Sequence, residues 1–308
     1  MEQPKTLQDA IRHYSDEQVC IDTVARLRWP NGPECPACGH KEHYYLATQK
    51  RWKCKECYKQ FTVKLGTIFE ESPIKLDKWL TALWMLVNCK NGVSSYEVAK
   101  AVGITQKSAW FVLHRLRFAL QSGSIVKLGG GSAPVEVDET FVGGKARNMH
   151  KHIREQKITG TGGKDKTVVA GIMERGGKMR ATVVSNTKRD TLQAGIRENV
   201  EPGAIVYTDA LRSYSGLDAD YVHETVDHAE KYVEGKIHIN GMENFWCLLK
   251  RGLHGTYVHA APFHLFRYLD ERMFTFNERD LDDLGRFLAV VGTVTGRRLT
   301  YAGLTGKE

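Results

Sequence analysis

No part of the chain is apolar for long enough to cross a bilayer: the longest apolar-rich run, Trp79 to Val87, spans nine residues, about half of what a membrane helix needs. The first residues, Met1-Glu2-Gln3-Pro4-Lys5, lack the apolar stretch of a secretory leader, so a cytoplasmic protein with no membrane partner is expected. A Walker A loop is missing as well, because Gly160-Thr161-Gly162-Gly163-Lys164 is followed by Asp165 rather than by Ser or Thr. At 42% hydrophobic and 26% charged residues the composition is neither that of a disordered chain nor that of a collagen-like or coiled-coil filament. With 308 residues the chain is too long for one ordinary core, and two or three folded units are expected.

What is present is unevenly spread. Residues 1–131 hold 19 Lys+Arg against 12 Asp+Glu, a net +7 of the chain's +8. Such an excess suits a polyanion surface through counterion release, although a solvated basic face gives the same count. Of seven cysteines, Cys35, Cys38, Cys54 and Cys57 form two C-x-x-C pairs fifteen residues apart. Two such knuckles complete the four-thiolate shell of a structural zinc site, and no thioredoxin-like pattern surrounds them. Between and after them His43–Leu46, Arg51–Lys53 and Gln60–Val63 read as short strands of a zinc ribbon holding one structural Zn²⁺.

From Ile74 the period becomes helical: Leu76, Trp79, Leu80, Leu83, Trp84 and Val87 mark one buried face. Ser94 with Glu97 offers a capping box, Gly103 a turn, and Thr105 the cap of a second helix running to Leu120. This is a helix-turn-helix outline, though a plain helical hairpin would look similar. As a DNA reader it nominates Gln106, Lys107, Ser108 and Trp110 for bases, with His114, Arg115 and Arg117 farther along, the two arginines for phosphates. Leu128 to Pro134, rich in glycine, reads as a flexible hinge. Beyond it, strands at Val135–Val142, Thr167–Met173, Met179–Ser185 and Ala204–Thr208, with a helix at Asp190–Val200, predict an α/β layer fold interrupted by a basic loop over 143–166.

Asp138 sits inside the first of these strands and Asp209 ends the last. A carboxylate in such a place needs a neutralising partner, and two can share a divalent cation. Each alone is as consistent with a cap or a salt bridge. Glu243 and Lys250 lie seven residues apart in a segment of helical period, so a metal ligand and a phosphate-binding cation share a face. Trp246, one turn on, reads either as a core aromatic or as a stacking platform for a base.

These residues together resemble the bacterial insertion-sequence DDE transposases that carry an N-terminal zinc ribbon, the ISXO2-like group. The resemblance rests on Cys35-Pro36-Ala37-Cys38-Gly39 with Cys54-Lys55-Glu56-Cys57, on Val137-Asp138-Glu139-Thr140-Phe141-Val142-Gly143-Gly144-Lys145, on Tyr207-Thr208-Asp209, and on Asn240-Gly241-Met242-Glu243-Asn244-Phe245-Trp246 followed by Lys250-Arg251-Gly252. It implies a multidomain α/β protein: an N-terminal helical segment (1–31), zinc ribbon (32–66), helix-turn-helix-like segment (72–124), ribonuclease-H-like mixed-sheet catalytic domain (132–285) and C-terminal tail (286–308). It further implies that Asp138, Asp209 and Glu243 hold two catalytic Mg²⁺ or Mn²⁺ ions, with Lys250 catalytic and Arg251 beside it on DNA. Asn240 or Asn244 shares the third-ligand role in an alternative reading. The implied partners are terminal inverted repeats, target DNA and further copies of the chain on DNA, in the nucleoid of a bacterial cytoplasm. The competing readings are a non-catalytic DNA-binding regulator derived from a transposase, and a stand-alone nuclease of the same fold.

Overall fold

The structure is a computed structural model describing residues 3–121, 126–144, 148–158, 160, 163, 165–226, 237–258 and 260–306. The chain divides into two compact units, residues 1–121 with 278–308, and residues 122–277. Among the described residues no helix is long and apolar enough to cross a membrane.

In the first unit α1 (Leu7–His13) starts at a Thr6/Asp9 capping box and α2 (Glu17–Arg28) at Asp16. The ribbon follows as three antiparallel strands in the order β1 (His43–Leu46), β2 (Arg51–Cys54), β3 (Gln60–Phe61). Tyr45, Trp52 and Phe61 share one of its faces, and Trp29 packs edge-on to Trp52 at 5.4 Å. Three helices come next, α3 (Leu76–Asn88), α4 (Ser95–Val102) and α5 (Gln106–Ala119). The expected signals operate here: Ser94 and Glu97 cap α4 reciprocally, Gly103 ends it at φ +64°, and Thr105 accepts the Ser108 N–H.

In the same region the predicted stripe of α3 is buried in full. Helix α3 buries Thr81, Ala82 and Leu86 in addition to its predicted stripe, so it is enclosed rather than one-sided. Around it pack α1, α2, α4, α5 and α10 (Asp283–Val291), the last of which returns from the far end of the chain and packs Phe287 against Trp84 at 5.3 Å and Tyr14 at 5.2 Å. The expected boundary between residues 285 and 286 falls inside this helix. Beyond it Arg297 donates to the carbonyls of Phe118 and Gln121 at the end of α5 (2.6 and 2.9 Å), and α11 (Tyr301–Thr305) sets Tyr301 near Phe111.

The second unit is a five-stranded mixed sheet flanked by helices. Its elements are β4 (Val135–Val142), α6 (Lys151–Lys157), β5 (Thr167–Glu174), β6 (Met179–Val184), α7 (Arg189–Asn199), β7 (Ile205–Asp209), β8 (Val222–Val226), α8 (Asn240–Gly255) and α9 (Leu265–Asn277). The strand order is β6-β5-β4-β7-β8, antiparallel from β4 to β6 and parallel from β4 to β8. Leu192 and Ile196 of α7 join Val135, Val137 and Val206 in a core on one face. On the other, Met242, Phe245 and Trp246 of α8 and Leu265 and Leu269 of α9 pack with Val169 and Met173. The supposed hinge is anchored at its start: the Leu128 N–H donates to Asn199 O at 2.8 Å, and Leu128 O accepts from the Glu201 N–H. Gly129, at φ +81°, has no room for a Cβ, which would lie 2.7 Å from that of Ala204.

Candidate functional site

The four cysteines of the ribbon converge. Cys35 and Cys38 lie on the first knuckle, Cys54 ends β2 and Cys57 follows it, and all four Sγ atoms lie within 4.8 Å of one another. Sγ separations of 3.6 Å for Cys35 to Cys57 and for Cys38 to Cys54 compare with the edges of about 3.8 Å in a tetrahedron with Zn–S bonds of ~2.3 Å. The donors therefore fit a closed zinc centre.

Helix α5 presents fewer side chains to a ligand than its sequence promises. Arg115 and Arg117 are 4% and 1% exposed. Arg115 donates to Glu70 O at 2.7 Å and lies over Trp79 and Phe111. Neither guanidinium is available to a phosphate, which corrects the expected DNA contacts of both; His114 is buried too. At the start of the helix Gln106 Nε2 donates to Ser95 Oγ at 2.8 Å, Ser108 is engaged with Thr105, and Lys107 remains exposed beside the Tyr301 ring.

In the second unit the acids are placed by the sheet. Val135 pairs with Val206 and Glu136 with Tyr207; Asp138 lies two residues beyond the last of these pairs, and Asp209, which ends β7, is near enough for its charge to act on the Asp138 carboxyl. Alternation turns the even residues of β4 toward α8: Glu136 Oε2 accepts the Met242 N–H at 3.0 Å and Asp138 Oδ2 accepts Trp246 Nε1 at 2.9 Å. Glu243 stands between these two latches, exposed on α8, with Lys250 half-buried and Arg251 exposed two turns on. Burial, followed by the charges of Glu139 and Asp209, pushes the Asp138 carboxyl up to about 7. Burial raises Glu139 as well; its Oε2 accepts the Tyr214 hydroxyl at 2.6 Å on the opposite side of the strand. Among the described residues the cysteines alone form a tight group of potential ligands; Asp138, Asp209 and Glu243 are not drawn into one.

Residues 127–277 match the ISXO2-like transposase domain, and residues 15–60 match the transposase zinc-ribbon domain. An uncharacterized transposase-like protein of Haemophilus influenzae is 37% identical over 105 residues, 34% of this chain and 85% of the relative. The chain belongs to the ISXO2-like transposase family. An uncharacterized protein in transposable element ISH50 of Halobacterium salinarum is 27% identical over 256 residues, 79% of this chain and 85% of that one. No solved structure matches the chain.

The transposase domain, as matched, lies within the second unit (122–277). Sequence reasoning overlooked two of its residues, Glu136 and Gly171, and left the role of Trp246 open. Glu136 is 1% exposed and accepts Arg175 Nε at 3.0 Å besides the Met242 N–H, so it ties both the β5–β6 turn and the start of α8 to β4. Trp246, 5% exposed, is a core aromatic and not a platform for a base. Gly171, opposite Asp138 on β5, leaves the space that Trp246 occupies, since a Cβ there would lie 2.6 Å from the indole ring. The signal was visible: a lone glycine inside an apolar strand marks a close approach.

Proposed function

We propose that the protein is a DDE transposase that cleaves the ends of its element and joins them to target DNA. The observation that carries this reading is the latch between Asp138 and Trp246 of α8, a helix that bears Glu243 and Lys250 two turns apart, on a strand paired in parallel with the one that ends in Asp209. The strand order, antiparallel on one side of β4 and parallel on the other, supports a ribonuclease-H-like assignment. Burial, and after it the charges of Glu139 and Asp209, raises the Asp138 carboxyl, and a divalent cation bound there would offset that cost.

An all-oxygen donor set of this kind fits Mg²⁺ or Mn²⁺, with Asp138, Asp209 and Glu243 as the holding residues. When bound, a pair of such ions activates the attacking hydroxyl and stabilises the leaving 3′ oxygen of an in-line phosphoryl transfer. The chain's own part is positional: the carboxylates act as ligands rather than as general bases, Lys250 and Arg251 offer cations to the DNA backbone, and Trp246 and Glu136 fix the helix that carries them. Recognition of the terminal inverted repeats falls to the first unit, where Lys107, Gln106 and Ser108 lead α5; a homo-oligomer on DNA brings two ends together.

The deciding experiment is strand transfer by purified protein on linear DNA bearing the element's own ends. Asp138→Asn, Asp209→Asn or Glu243→Gln abolishes the Mg²⁺-dependent reaction and leaves end binding intact. Full activity in any of the three removes that residue from the site, and a wild-type protein that binds the ends without cutting them favours the regulator reading.

A further inference from the structure

The Asp138 carboxylate is held at both oxygens by neutral donors. Its Oδ1 accepts the backbone N–H of Glu139 at 2.9 Å and its Oδ2 accepts the indole N–H of Trp246 at 2.9 Å. Trp246 is built into this place. Its ring lies against Gly171, directly across the β4–β5 pair from Asp138, and its edge meets Phe245 in the core beneath α8. A turn earlier on the same helix Glu136 pins the Met242 N–H, so the helix cannot slide without breaking both bonds.

The identity of the donor matters. An indole N–H donates but neither accepts, ionises nor ligates a metal. A lysine or arginine in its place would neutralise Asp138 and compete with a cation for it. The two donors fix the carboxylate plane while each oxygen keeps a lone pair for another partner. We infer that Trp246 is a positioning residue: it orients Asp138 for a divalent cation and couples α8, and with it Glu243, to the same point on the sheet. This rests on the two-metal reading above and adds to it a residue that acts only through Asp138.

The test uses the full-length, zinc-loaded protein. Trp246→Phe keeps an aromatic ring over Gly171 and deletes the N–H; Gly171→Ala keeps the N–H and displaces the ring. Mn²⁺ binding is followed by loss of the free-ion EPR signal, and cleavage of an element-end duplex is followed against Mg²⁺ concentration. Both variants should bind Mn²⁺ about 10- to 100-fold more weakly. Their cleavage should need correspondingly more Mg²⁺ to reach half its maximal rate, with end-DNA binding unchanged. In wild-type protein carrying ¹⁵N-indole label, one of the six tryptophan N–H signals should move on Mg²⁺ addition and be missing from Trp246→Phe. Unaltered Mn²⁺ affinity in folded Trp246→Phe, or no indole signal responding to Mg²⁺ in the wild type, overturns the inference. Asp138→Asn separates the two failures. If it abolishes cleavage while Trp246→Phe behaves as wild type, only the role of Trp246 is lost; if Asp138→Asn itself cleaves normally, the two-metal reading falls.

Discussion

Glu136 shows how much one buried carboxylate can organise. It is nearly sealed from solvent, and its oxygens accept from Arg175 on one side and from the first turn of α8 on the other. Gly241 makes room for this, because a Cβ there would lie 2.7 Å from Glu136 Oε2. Glu136→Ala strands both donors and should cost about 2–3 kcal/mol in urea unfolding, whereas Glu136→Gln, which keeps an acceptor, should cost less. Asp138 carries a pH dependence. Its folded carboxyl titrates at about 7 against an ordinary 3.8, so the folded state holds the proton more tightly than the unfolded chain does. This group's contribution to stability is full below about pH 4 and is lost as pH rises through 7. In metal-free protein, Asp138→Asn should flatten the fall in melting temperature between pH 5 and 8; an unaltered slope would assign that fall to other groups. Asp138 drew notice because a carboxylate in an apolar strand is conspicuous, yet Glu136, two residues earlier in the same strand, did not. The burial of Arg115 and Arg117 was not legible, because what covers them includes residues distant in sequence, such as Glu70.

Elements with strong local signals came out close to expectation: the ribbon strands, the capped pair α4 and α5, and β4 at Val135–Val142. Strand β8 escaped notice because Val222-His223-Glu224-Thr225-Val226 lies at the end of the sheet order and carries too little apolar residue to show a period of two. The ribbon's own small core of Trp29, Trp52 and Phe61 supplements its metal without replacing it. Cys35→Ser or Cys57→Ser should therefore release zinc, measured as loss of one equivalent by elemental analysis, and unfold the ribbon. At the end of α5, Arg297 satisfies two carbonyls left open by the helix. Arg297→Ala should destabilise the first unit by about 1–3 kcal/mol and weaken end binding, with Mn²⁺ affinity unchanged.

For the molecule as a whole, the decisive fact is that the first unit is discontinuous in sequence, completed by residues 278–308. A fragment ending near Gly129 should thus fold poorly despite holding most of the charge: it lacks Phe287, which is fully buried against Tyr14 and Trp84. Residues 1–121 joined through a flexible Gly/Ser linker to 278–308 should melt cooperatively in circular dichroism, while residues 1–129 alone should not. Two cooperative fragments would make the C-terminal helices dispensable. Composition and charge located this unit but could not close it, since no local pattern says that α10 belongs beside α3.

That discontinuity also orders events on the ribosome. The transposase domain is complete once residue 277 has emerged, yet α5 waits for Arg297, 176 residues after Gln121. At elongation rates of about 5–20 residues per second the wait is roughly 9–35 s. A nascent chain thus completes its second unit before its first, and a message truncated between the codons for residues 277 and 283 yields a product with the former and without the latter.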